Sequence, residues 1–230
     1  MAADAKRNGS PADKPGLSRR DFVTTAAKAA GGACAAGFLL TAYAETARSL
    51  PVQAIRPPGA LAEEDFLSAC VRCGLCVRAC PYDTLKLAEV GDGVVLGTPY
   101  FVAREKPCFM CQDVPCTRAC PTGALDREIA RIEDAAMGTA VLSDHENCLN
   151  YRGMHCSICY RVCPVKGQAI TLEEHVIKGK RRVIPTVYAE HCTGCGRCEE
   201  QCVLKEAAIR VYPANLARGE IGVNSAGRHL

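Results

Sequence analysis

Sixteen of the seventeen cysteines in this 230-residue chain fall into four sets of four with closely related spacing. The first is Cys70-x2-Cys73-x2-Cys76-x3-Cys80, followed by Pro81, and the second is Cys108-x2-Cys111-x4-Cys116-x3-Cys120, followed by Pro121. The third widens at its start, Cys148-x7-Cys156-x2-Cys159-x3-Cys163 before Pro164, and the fourth is Cys192-x2-Cys195-x2-Cys198-x3-Cys202 before Val203. Three thiolates at such short intervals can wrap one iron–sulfur cubane, while the fourth reaches a neighbouring one. The chemistry expected is therefore ligation of four [4Fe–4S] clusters by all sixteen residues, with no iron left open to a substrate.

Between the sets lie 27, 27 and 28 residues, so the motif is also an internal repeat. The ligand loops must turn tightly enough for backbone N–H groups to point at sulfur and stabilise negative charge. Gly74, Gly194 and Gly196 stand inside the loops, where positive φ and close backbone approach are needed. Proline after the fourth cysteine removes an N–H that a helix start would orphan and presets φ. Strand-like runs precede the motifs, as in Ala140-Val141-Leu142 and Thr186-Val187-Tyr188. Each motif is followed by an apolar position fit to pack on a cluster, namely Leu85, Leu125, Ile170 and Ile209.

Composition agrees with cohesion supplied by cofactors. Aromatic residues are 5% and tryptophan is absent, although hydrophobic residues reach 48%. The formal charge is +3, and residues 1–44, with six basic and three acidic residues, hold all of that excess. The remainder is balanced, which argues against a nucleic-acid partner. No uninterrupted run of 18 apolar residues occurs, which excludes a multi-spanning membrane protein.

The N-terminal segment reads as a secretory leader. A polar stretch leads into Ser18-Arg19-Arg20-Asp21-Phe22-Val23-Thr24, which resembles a twin-arginine signal, then into a mild apolar run ending at Ala42-Tyr43-Ala44, an A-x-A cleavage pattern. Uncut, it would be a short anchor. Cys34, inside this run and outside every motif, reads as a small hydrophobe. The expected organisation is a signal or anchor at 1–44, a linker at 45–65, a tandem cluster-binding region at 66–212 and a tail at 213–230.

Two other uses of cysteine fit this sequence less well. Zinc favours separated C-x2-C pairs or pairs with histidine, whereas these cysteines come as triplets plus one and the five histidines are not at ligand spacing. Disulfides suit exported proteins, but x2 spacing with repeated Cys-Pro makes a poor disulfide framework. The twin-arginine route carries folded, cofactor-loaded proteins, so export and reduced cysteines are compatible.

The leader, CVRCGLCVRACPYDTLK from Cys70, TPYFVAREKPC ending at Cys108, CPTGALDREI from Cys120 and HCTGCGRCEEQC ending at Cys202 together resemble the MauM/NapG family of ferredoxin-type proteins. The similarity covers about residues 56–220 and is strongest towards the NapG branch of periplasmic nitrate reductase systems. The resemblance implies an α+β fold of two bacterial two-cluster (2[4Fe–4S]) ferredoxin-like modules behind the twin-arginine helix. It implies work with a NapH-like membrane quinol dehydrogenase, passing electrons to a periplasmic carrier or nitrate reductase at the periplasmic face of the membrane, peripheral or anchored. The chain would be an electron-transfer component without a substrate site of its own. A MauM-like role in methylamine utilisation, an iron–sulfur subunit of another periplasmic oxidoreductase, and an assembly module are the rival functions.

Which motifs share a module is left open by the equal intervals. The x4 gap and the widened third motif resemble iron–sulfur subunits of molybdoenzymes, in which outer motifs pair and inner motifs pair. On that analogy Cys202 joins Cys70, Cys73 and Cys76, Cys80 joins Cys192, Cys195 and Cys198, Cys163 joins Cys108, Cys111 and Cys116, and Cys120 joins Cys148, Cys156 and Cys159. Sequential pairing is the competitor.

Overall fold

The computed structural model describes residues 19–46, 53–129, 131–177 and 179–217. The chain divides into two compact units, Met1–Glu45 and Thr46–Leu230. In the first, helix α1 (Arg19–Thr46) begins at the arginine pair. Its apolar stretch, Phe22–Tyr43, has a mean hydropathy of 1.3 over 22 residues. That is about 33 Å of helix, enough by length and composition to cross a bilayer. Residues 1–18 of the expected leader, 47–52 of the expected linker and 218–230 of the expected tail lie outside the described residues.

The second unit mixes short helices and strands because each cysteine motif spends its residues on a ligand loop and one helical turn. Strand β1 (Ala54–Ile55) and helix α2 (Glu63–Ala69) fall partly within 45–65, the stretch expected to be linker. Helical turn α3 (Leu75–Arg78) lies inside the first motif, followed by β2 (Lys86–Leu87) and β3 (Pro99–Val102). Turn α4 (Pro115–Arg118) lies inside the second motif. Strand β4 (Gly138–Leu142) precedes the third, whose turn is α5 (Ile158–Val162). The hairpin β5 (Ile170–Ile177) and β6 (Lys180–Val187) leads to α6 (Arg197–Glu200) in the fourth motif, then β7 (Ile209–Pro213) and α7 (Ala214–Ala217).

Two copies of one plan emerge. In the C-terminal copy β4 pairs antiparallel with β7 around the inner hairpin β5–β6. In the N-terminal copy the outer pair shrinks to the bridge Ala60–Leu125, the inner pair is β2–β3, and β1 adds to β3. The turn α3 packs on α4, and α5 packs on α6. One core joins both copies, and buried cysteines lie among Ile55, Phe66, Phe101, Leu125, Ile132, Ile209 and Val211. All four apolar positions expected to back the clusters, Leu85, Leu125, Ile170 and Ile209, are in this core.

The entry to the body is fixed by a buried arginine. Arg56 holds Glu63 by two hydrogen bonds, Nη2 to Oε1 at 2.6 Å and Nε to Oε2 at 3.0 Å. Its Nη1 donates to Thr98 Oγ1 and the Pro99 carbonyl, both at 2.9 Å, and the guanidinium lies 4.6 Å from the centre of the Phe66 ring. Replacing only Arg56 by methionine strands the Glu63 carboxylate and two acceptors, so a loss of about 3–5 kcal/mol is expected. A denaturant titration checks it, and combining Arg56→Met with Glu63→Leu should recover most of the loss.

Candidate metal centres

All four ligand loops pass through left-handed backbone between their first two cysteines, at Arg72 (φ 57°), Met110 (φ 57°), Gly153 (φ 90°) and Gly194 (φ 72°), and the helical turns of the first, second and fourth start after Gly74, Val114 and Gly196. Only the glycines carried a sequence signal; Arg72, Met110 and Val114 occupy the same backbone region without it. A Cβ on Gly194 would lie 2.3 Å from the Gly138 backbone nitrogen, so that loop needs both the conformation and the space.

The two irregular motifs keep this geometry by local means. In the second, the extra residues end at Val114, and Pro115 opens α4 directly after it. In the third, the seven-residue gap folds onto β6: Asn150 Nδ2 donates to the Val183 carbonyl at 2.7 Å, and the Cys156 N–H donates to Asn150 Oδ1 at 2.8 Å.

The sixteen cysteines come together as four quartets. Cys70, Cys73, Cys76 and Cys120 line a pocket of about 340 Å³, counted with its open mouth, walled by Phe66 and Leu125. Cys80, Cys108, Cys111 and Cys116 line one of about 390 Å³ with Leu85, Phe101 and Ile132. Cys163, Cys192, Cys195 and Cys198 line another of about 390 Å³ with Ile170 and Val187. Cys148, Cys156 and Cys202 surround Cys159, where their negative charge adds to burial in raising its thiol to about 12.

Pairing is therefore sequential, first motif with second and third with fourth. This corrects the outer-with-outer arrangement expected from the molybdoenzyme analogy. Its physical reason is the packing of α3 on α4 and of α5 on α6, which carries each fourth cysteine into the adjacent motif's quartet. The widened gaps that suggested otherwise are absorbed inside their own loops.

The donor set fits an iron–sulfur cluster. Burial pushes Cys76 and Cys163 up to about 11 and Cys108 and Cys116 up to about 12, and Cys198 goes well above its ordinary value. Such thiols give up their protons only to a cationic partner that replaces lost water. Backbone donors already face sulfur: Thr84 N–H to Cys80 Sγ and Ala140 N–H to Cys192 Sγ, each at 3.4 Å. Cys120 is the exception in direction. Burial raises it, but N–H groups of Leu125, Thr122 and Gly123 with the Thr122 hydroxyl outweigh burial and bring it below the usual thiol range. Among the described residues no three His, Cys, Asp or Glu converge closely enough to hold a single metal ion; the quartets ring volumes instead.

A family described as 4Fe-4S dicluster domain matches residues 69–124 and 152–205, one match per two-motif copy, with Cys148 lying just before the second. The chain is 64% identical to the methylamine utilization ferredoxin-type protein MauM of Methylorubrum extorquens, over 92% of this chain and 96% of that protein. It is 61% identical to MauM of Paracoccus denitrificans, over 92% and 95%. Against the ferredoxin-type protein NapG of Escherichia coli the identity is 55%, over 91% of each.

Sequential pairing has a countable consequence. The double variant Cys148→Ala with Cys202→Ala strikes one quartet and should cost about four irons per chain, whereas Cys70→Ala with Cys202→Ala strikes two and should cost about eight. Outer pairing would exchange the two results in an iron analysis.

Proposed function

This chain belongs to the MauM/NapG family of ferredoxin-type 4Fe-4S electron-transfer proteins, and from that premise we propose that it relays electrons from a membrane quinol-oxidising partner to a periplasmic acceptor. The observation that carries the reading is the set of partly buried quartets held side by side: Cys116 feels Cys80 of its own quartet and Cys76 of the next. Four quartets correspond to four [4Fe–4S] clusters on Cys70, Cys73, Cys76, Cys80, Cys108, Cys111, Cys116, Cys120, Cys148, Cys156, Cys159, Cys163, Cys192, Cys195, Cys198 and Cys202. When bound, such a cluster accepts and returns one electron without breaking a bond to substrate. The chain's own residues fix the sulfurs, exclude water through Phe66, Phe101, Ile132 and Ile170, and aim N–H dipoles at the charge. Fully oxidised clusters with four thiolates carry about −2 each, so the loaded body favours basic partner surfaces.

Export by the twin-arginine route is supported by Arg19 and Arg20 at the start of α1 and by the apolar stretch behind them. That stretch serves equally as a signal or as an anchor at the periplasmic face. The membrane partner in this reading is NapH-like, and the acceptor is a periplasmic carrier or nitrate reductase. A second reading, electron supply in methylamine utilisation, is favoured by the higher identities to the two MauM proteins. An iron–sulfur subunit of another periplasmic oxidoreductase and an assembly module complete the alternatives.

Anaerobic purification should yield about 16 irons per chain with a similar amount of inorganic sulfide. Zinc instead of iron, or half the iron, would overturn the four-cluster count. Deleting the chain should abolish quinol-dependent nitrate reduction while leaving nitrate reduction by an artificial dye donor intact. Loss of the dye-driven activity with the reductase at normal abundance would replace relay by assembly. Loss of methylamine-dependent growth, with both nitrate activities unchanged, would select the second reading.

A further inference from the structure

We infer that Arg104 is a positioning residue that sets the separation of the two central cysteine quartets, and that the quartets stand along the body in an order different from chain order. The inference rests on the reading of the quartets as cluster sites and deepens it.

The order follows from contacts between motifs. The N-terminal copy holds the Cys70 and Cys80 quartets side by side across α3 and α4, and the C-terminal copy holds those of Cys148 and Cys163 across α5 and α6. The copies meet loop to loop. The Cys108 N–H donates to the Cys195 carbonyl at 2.8 Å, which joins the quartet of Cys80, Cys108, Cys111 and Cys116 to that of Cys163, Cys192, Cys195 and Cys198. Beside it Thr193 Oγ1 lies 3.6 Å from Met110 Sδ, both groups buried. Gly196 faces Ala103 so closely that a Cβ there would lie 2.5 Å from the alanine's own. The sequence of sites is then first motif, second, fourth, third, and the Cys70 and Cys148 quartets are the two ends.

Arg104 clamps this junction from the side. It follows β3 in the N-terminal copy, and five backbone carbonyls of the C-terminal copy ring its guanidinium. Nη1 reaches the carbonyls of Glu199, Glu200 and Cys202 at 2.5, 3.0 and 3.0 Å, and Nη2 reaches those of Leu204 and Lys205 at 2.6 and 3.3 Å. The carbonyls of Glu199 and Glu200 end α6, and those of Cys202, Leu204 and Lys205 belong to the segment that follows it. A planar, permanently charged fork can bridge several of them at once, which a lysine ammonium does only in part. Because Arg104 is four residues before Cys108 and its acceptors begin one residue after Cys198, the clamp ties the backbone of one central quartet to that of the other.

The test uses the iron-loaded full chain as parent, Arg104→Gln and Arg104→Lys. Low-temperature electron paramagnetic resonance of the reduced protein reads spin–spin coupling between neighbouring sites, and hydrogen exchange reads the Cys108 amide. Arg104→Gln should keep the parent's iron content, lose the part of the spin–spin broadening that arises between the two central quartets while keeping that within each copy, and exchange the Cys108 amide roughly tenfold faster, the scale of one lost hydrogen bond to a charged group. Arg104→Lys should fall between the two in both readouts. Parent-like broadening and exchange in Arg104→Gln would overturn the assignment, as would loss of iron from all quartets in both variants. A parent chain without an iron–sulfur spectrum would instead overturn the reading of the quartets on which it rests.

Discussion

Thiolate charge is poorly tolerated in an apolar interior, and each group of four cysteines in this body contains at least one whose burial, with its neighbours' charge, opposes ionisation. Cys108, Cys116 and Cys159 are each pushed to about 12, with desolvation the leading cause and neighbouring cysteines adding to it. Positive charge at the centre of such a group, as iron would supply it, removes both objections. Much else in the fold answers to that need: short helical turns in place of long helices, N–H groups aimed at sulfur, and apolar walls that keep water from competing. With so few aromatic residues, a core built around metal–sulfur bonds substitutes for side-chain volume the sequence lacks.

The same constraint accounts for backbone that would otherwise be unfavourable. Arg72, Met110 and Val114 hold positive φ without being glycine, a conformation that costs of order 1–3 kcal/mol at each such residue. They persist because the ligand loop must curl around its occupant. Where the chain has glycine instead, at Gly194, the reason is contact as well as conformation, since β4 passes directly against it.

Legibility in the sequence divides along the line between local and non-local information. The quartet members, the capping glycines and the apolar positions after each motif are local patterns, and the structure gathers them as their spacing suggests. Pairing is not local. It depends on which helical turn packs on which, and the unequal gaps in the second and third motifs pointed the wrong way because a loop can absorb extra residues without changing its neighbours. Residues 54–65 read as linker because β1 is only two residues long and Arg56 reads as a surface charge until Glu63, Thr98 and Phe66 are brought around it. Arg104 lies in a run, Ala103-Arg104-Glu105-Lys106, that resembles any solvated turn; its five acceptors come from a segment about a hundred residues away.

Exchange of the fourth cysteine between adjacent motifs also governs the order in which the chain can be completed during synthesis. The Cys80 quartet is whole once Cys116 has emerged, and the Cys70 quartet once Cys120 has, while everything from residue 121 onward is still unmade. Outer pairing would have left those first cysteines waiting for Cys202. The N-terminal copy thus contains every cysteine of its own two quartets, and the third and fourth motifs contain those of the other two, a set that closes only at Cys202.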